Sequence, residues 1–207
     1  MRPRRALGLA LGDFYRNSWR LVPLNAAVGA VLVVAGIGAV LVRAAIVLML
    51  LAGPLLAALA HSAVTLARTG DLTLRDGLEG LRLHWRRGLV LGAAGAALLF
   101  LGILAVHVYG GTPLWPLSFV TAYVVVLLGI YQLVLWTLAI AEPAESLRLV
   151  ARRAAQFVAA RPWPTLALGL LLLAINAAGI AAGLMPFLTL TVAFSFLAAA
   201  HFVLEVD

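Results

Sequence analysis

Six apolar stretches of about twenty residues each dominate this chain: Leu21–Val42, Ala44–Ala67, Gly88–Val108, Leu117–Ala141, Thr165–Gly183 and Pro186–Leu204. A helix rises 1.5 Å per residue, so about 20 residues span the roughly 30 Å hydrocarbon core of a bilayer. Composition points the same way. The chain is 64% hydrophobic and 11% charged, against about 45–50% and 25% in soluble domains. Its 207 residues suit one compact bundle. The reading is a single polytopic membrane domain over 1–207, all-α, with six transmembrane helices arranged as three hairpins.

The connections between these stretches alternate in charge. Residues 1–20 carry Arg2, Arg4, Arg5, Arg16 and Arg20, and residues 68–87 carry Arg68, Arg75, Arg82, Arg86 and Arg87. Residues 142–164 carry Arg148, Arg152, Arg153 and Arg161. Arg43 stands alone in a short turn, and the connections at Tyr109–Pro116 and near Met185 carry no formal charge. Short cytoplasmic loops are enriched in Lys and Arg, so fourteen of the fifteen arginines fall on one side. That orients the chain with both termini inside, Glu205 and Asp207 returning to the cytoplasm. A five-span alternative places the C-terminus outside and requires one of the last two stretches not to cross. Gly36 and Gly38 make the end of the first stretch its least defined boundary.

The net charge is +7, there is no Cys and every Lys/Arg position is Arg. The missing lysines fit a GC-rich coding genome. No soluble surface exists to form a basic groove, so nucleic acid is not an expected partner. Zero Cys excludes disulfides, thiolate metal sites and cysteine nucleophiles. Arg2 to Arg5 lead into a stretch broken by Asp13, Arg16 and Arg20. With no small-residue cleavage site there, the first span is expected to serve as an uncleaved anchor.

Each basic connection is also amphipathic. Leu7, Leu11, Phe14, Ser18 and Leu21 follow a helical stripe, as do Leu74, Leu78, Leu81 and Trp85, and more weakly Leu147, Ala154 and Val158. Apolar residues at three- and four-residue spacing opposite arginines predict interfacial helices, here over 6–20, 72–87 and 143–160. Thr73 and Asp76 have capping-box spacing, and Pro143 suits a first helical turn. Trp19, Trp85 and Trp163 each precede a span, 66 and 78 residues apart. This is either a threefold internal repeat or the ordinary gathering of Arg and Trp at cytoplasmic helix ends.

The segment from Gly53-Pro54 through Val64, Arg68 and Gly70 to Thr73, Asp76, Gly80, Arg82, His84, Trp85, Arg86, Arg87 and Gly88 resembles the YesL-like family of small bacterial integral membrane proteins. Members share a Gly-Pro start to the second span, an acidic-basic elbow and an aromatic-basic entry to the third. The outline extends to Gly12-Asp13-Phe14-Tyr15, to Leu24-Asn25 and loosely to the arginines before Trp163. Gly77 and Leu78 stand where the family pattern has an aromatic. The resemblance implies the bacterial cytoplasmic membrane and, by gene association, a carbohydrate-uptake setting.

Chemistry-bearing constellations are sparse. All eight acids fall in the connections or the tail, which argues against an ion-coupled carrier, since coupling needs a titratable group within the membrane. His61, His84, His107 and His201 are scattered, so no metal site is expected. No strained Gly-x-Ser-x-Gly turn, nucleotide-binding loop or permease coupling signature occurs. No catalytic residue and no cofactor are expected. Gln132 and Asn176 lie near mid-span and read as interhelical glue or as a polar lining for a small ligand. Gly88-x3-Gly92 and Gly179-x3-Gly183 permit close helix contact. Gly53 and Pro54 predict a kink in the second span.

The expected function is therefore a non-enzymatic accessory or scaffold protein tied to carbohydrate uptake. Its partners are the bilayer, anionic lipid, and a transporter or other membrane protein. Arg82, Arg86, Arg87, Arg148, Arg152 and Arg153 are its expected contacts, each charge near an anionic surface contributing about 1 kcal/mol. The alternative is a small-molecule transport component, which predicts a closed extracellular pocket around Trp115, Tyr123, Gln132 or Asn176.

Overall fold

The computed structural model describes residues 3–41 and 48–204, with no strand among them. Seven α-helices follow in order: α1 Pro3–Leu41, α2 Leu48–Thr69, α3 Leu74–Gly110, α4 Pro116–Ala141, α5 Leu147–Ala160, α6 Pro162–Ala181 and α7 Val192–Leu204. A π-helical segment, Phe187–Thr191, runs directly into α7. The turn around Arg43 and the tail with Glu205 and Asp207 lie outside the described residues.

Five described helices are long and apolar enough to cross a membrane: α1 over Pro3–Val34, α3, α4, α6 and Phe187–Leu204. They mark a multi-pass membrane protein. Both of the last two stretches are in this set. The second stretch is not, because its first residues lie outside the described ones. The described part of α2 carries Gly53, Pro54, His61, Ser62, Thr65 and Arg68. It lies inside the bundle, with Ala57, Ala58, Leu59, Ala60, Ala63 and Leu66 all buried.

The elbows differ from expectation. Residues 6–20 and 72–87 are not separate helices, because α1 and α3 run unbroken through elbow and span. At 39 and 37 residues they reach about 55–60 Å, well beyond a hydrocarbon core. Nor does the chain turn at Gly36 or Gly38, which α1 passes as helix. Only the third elbow stands apart. Arg161 leaves helical geometry, and Pro162 opens α6, because a proline has no N–H to continue the ladder. This helix starts at Leu147, not Pro143. Pro143 lies in the preceding turn, and Ser146 caps the helix by accepting the Leu149 N–H. The structural pattern is thus shared by the first two elbows and broken in the third.

α7 is the centre of the molecule. Residues 195–203 are all buried, and α1, α2 and α4 pack around them. Trp136 meets Phe196, Phe157 meets Phe202 and Phe14 meets Phe194 edge to face. α3 packs on α2 along the most extensive helix pair among the described residues. A Cβ on Gly53 would overlap the Gly88 carbonyl oxygen, and one on Gly92 would lie 2.7 Å from the Gly53 Cα. The expected Gly88/Gly92 contact therefore forms, with Gly53 as its counterpart. Of the other pair, Gly179 abuts Phe187 and Thr191, while Gly183 turns the chain with φ +95° and touches nothing. Gly183 serves the bend after α6, where left-handed backbone favours glycine.

Candidate functional site

The basic connections converge on one end of the bundle, and the hydrogen bonds there show which arginines are engaged. Arg87 lies at the C-terminus of α4, where four carbonyls lack helical donors. Its guanidinium donates to the carbonyls of Ala139 at 2.7 Å, Glu142 at 3.2 Å, Pro143 at 2.6 Å and Glu145. Arg68 donates to the Ala141 carbonyl at 3.3 Å. Arg153 pairs with Glu142 at 2.6 Å and Glu145 at 2.7 Å. Arg20 joins α1 to the second connection through the Asp71 carboxylate and the Leu72 carbonyl.

Two carboxyl groups respond to these surroundings. The Leu72 backbone N–H, then the Arg20 guanidinium, hold the Asp71 carboxyl below its usual range. Partial burial and a hydrogen bond with Glu142 raise the Glu145 carboxyl, with Arg153 opposing.

The other expected contact residues stand apart. Arg82, Arg86, Arg148 and Arg152 are exposed and form no ion pair among the described residues. Arg86 lies over the Trp85 ring at 5.2 Å, as Arg20 does over Trp19 at 4.6 Å. Trp19, Trp85 and Trp163 are all exposed, the disposition of amphipathic rings at a membrane surface. α5 turns Val150 and Ala154 inward, and the Tyr131 hydroxyl fastens it to α4 by donating to the Ala151 carbonyl at 3.0 Å.

Inside the bundle, polar side chains bridge helices. Asn176 donates to Ser195 Oγ at 2.7 Å and to the Leu172 carbonyl at 2.8 Å. Gln132 is half-buried, and its Oε1 has no partner among the described residues. Trp115 and Tyr123 are exposed. Pro54 is seven residues into α2 and adjoins the Gly53–Gly88 contact, so this pair acts here as a packing point.

Three polar contacts differ from what the sequence led one to expect. Asn25, fully buried, donates to the Phe187 and Leu188 carbonyls at 3.0 and 2.7 Å and accepts the Ala193 N–H at 2.5 Å. Asp13, expected in a linker, is buried and lies 2.9 Å from His201 Nε2. His61 and His84, expected to be unrelated, meet with Nδ1 and Nε2 3.2 Å apart. One signal did point to that pair. His61 lies eight residues after Gly53 and His84 eight before Gly92, so antiparallel packing of those glycines sets the histidines opposite each other.

No family model, curated protein or solved structure matches this chain. Function must therefore be argued from the geometry. Next to the histidines is a cavity of about 300 Å³ between α2, α3 and the end of α4. His61, Thr65, Arg68, Thr69 and His84 supply its polar wall, and Val64, Leu83 and Ile140 part of its apolar one. Among the described residues no group of three or more His, Asp or Glu side chains converges.

Proposed function

We propose that this chain is a non-enzymatic accessory or scaffold protein of the bacterial cytoplasmic membrane, presenting a basic cytoplasmic face to anionic lipid or to another membrane protein. One observation carries the reading. The arginines divide into those bonded within the protein, Arg20, Arg87 and Arg153, and a set left outward, Arg82, Arg86, Arg148 and Arg152. The first set locks the helix ends, and the second is available to an anionic surface.

A six-span topology with both termini inside supports the same face. The contacts of Arg20 with Asp71, Arg87 with Glu142 and Asp13 with His201 gather the first, second, fourth and last chain ends together. α2 is then the sixth span, shielded by its neighbours. A carbohydrate-uptake setting rests on the YesL-like resemblance of residues 53–92 alone.

Replacing Arg82, Arg86, Arg148 and Arg152 by Gln tests the role of the face. In native lipid particles the parent is expected to retain anionic lipid or a stoichiometric membrane partner, and the variant to lose it with topology unchanged. The chain has no Cys, so single introduced cysteines report topology cleanly. Inverted topology in the variant would reduce these arginines to orientation signals. A parent purified with neither lipid enrichment nor partner would sink the accessory role.

A further inference from the structure

We infer that the cavity between α2, α3 and the end of α4 is a binding site for a phosphate group, held by Arg68, His61 and His84. It goes beyond the accessory role and does not depend on it. Three observations converge.

The first is an unmet polar atom. His84 is 2% exposed, and its Nδ1 has no hydrogen-bond partner. Its Nε2 contacts His61 Nδ1 at 3.2 Å, so whichever nitrogen carries the proton, the pair leaves a ring nitrogen unsatisfied. Buried polar groups are nearly always bonded, and an orphan in a cavity wall asks for a ligand or water.

The second is charge. Arg68 lines the cavity and donates to the Ala141 carbonyl at 3.3 Å. A guanidinium has five donors in a planar fork that matches phosphate geometry. No carboxylate lines the cavity, which disfavours a divalent cation between the histidines even though their spacing would suit two ligands of one ion.

The third is size and setting. A volume of about 300 Å³ is at the lower end for small-molecule sites, roughly 300–1,000 Å³. That fits a head group, not a whole lipid. Apolar Val64, Leu83 and Ile140 beside the polar wall favour a phosphate ester carrying an apolar substituent. Arg68, Thr69 and Leu83 are exposed at the cavity's outer edge, giving such a ligand a way in. The shared chemistry is a phosphate oxygen cluster, from a phospholipid head group or from a free phosphate.

The test uses the full chain in a non-ionic detergent with short-chain phosphatidylglycerol as probe, bound lipid being counted by native mass spectrometry. The parent should bind one molecule saturably. Arg68→Gln and Thr65→Leu, which removes a hydroxyl and fills space, should each weaken binding at least tenfold with unchanged melting temperature. His107→Gln, exposed at the far end of α3, should stay within twofold. Competition by inorganic phosphate would assign the free ion as ligand, and failure to compete would assign the lipid. Unchanged binding in both cavity variants, or equal loss in the His107 variant, overturns the site while leaving the basic-face role intact. Zn²⁺ stabilising the parent but not His61→Gln would overturn it in favour of a metal.

Discussion

A π-helical turn leaves carbonyls without their α-helical donors, and at Phe187 and Leu188 the Asn25 amide supplies them while also accepting the Ala193 N–H. Asn25→Leu strands two half-buried carbonyls and one buried N–H, and each unmet buried group costs about 1–3 kcal/mol. Asn176→Leu loses one interhelical bond and one within its own helix, and membrane interhelical bonds average about 0.6 kcal/mol. In SDS titrations Asn25→Leu should therefore unfold at clearly lower detergent fraction than Asn176→Leu. Equal sensitivity would mean that the π-segment finds other donors. The sequence marks both as amides in apolar runs and singled out Asn176. The role of Asn25 stayed hidden because its partners are backbone groups, exposed only by a helical irregularity that no side-chain pattern encodes.

Among the elements, the α2–α3 hairpin was the most legible. Its glycine contact, the basic connection and the Asp76 carboxylate reaching back to the Thr73 N–H at 2.6 Å all follow from residue type and spacing. What was not legible is continuity. Amphipathic and apolar segments share the helical period, so only a break in the backbone separates them; one occurs at Arg161–Pro162, whereas α1 continues through Pro23. The glycine contact gives a sharp contrast within one helix. Gly88→Ala must accommodate a methyl 2.7 Å from the Gly53 carbonyl oxygen and 2.9 Å from the Ala57 Cβ, whereas Gly95→Ala meets nothing within 4 Å. Overpacking of that kind costs about 1–3 kcal/mol. Gly88→Ala should lower the melting temperature in detergent by several degrees, and Gly95→Ala should not. If both are silent, the two helices are free to separate.

Across the whole molecule, burial is lopsided. Buried side chains concentrate in the first half of α1, in α2, in the second half of α4 and in α7. Large apolar residues such as Leu101, Ile103, Phe119 and Val120, near the α3–α4 turn, remain exposed. Lipid tails are as apolar as these side chains, so helices in hydrocarbon gain little by hiding them from one another. The arrangement places the α3–α4 tip against lipid and the shared core toward the basic end. Charge asymmetry in the sequence anticipated that end but not the central place of α7, because the last stretch is no more apolar than the others.

The Asn25 clasp also has a consequence in time. Its partners lie 162 to 168 residues further along the chain. At about 5–20 residues per second, the ribosome needs roughly 8–30 s between making the amide and making what it binds. During that interval the first helix sits in the membrane with an unmet polar group, a state that insertion chaperones and membrane proteases can recognise. Nascent chains arrested before Phe187 should be degraded quickly, and Asn25→Leu should protect them while harming the finished protein. If the arrested chains are equally short-lived with either residue, the waiting amide is not what marks them.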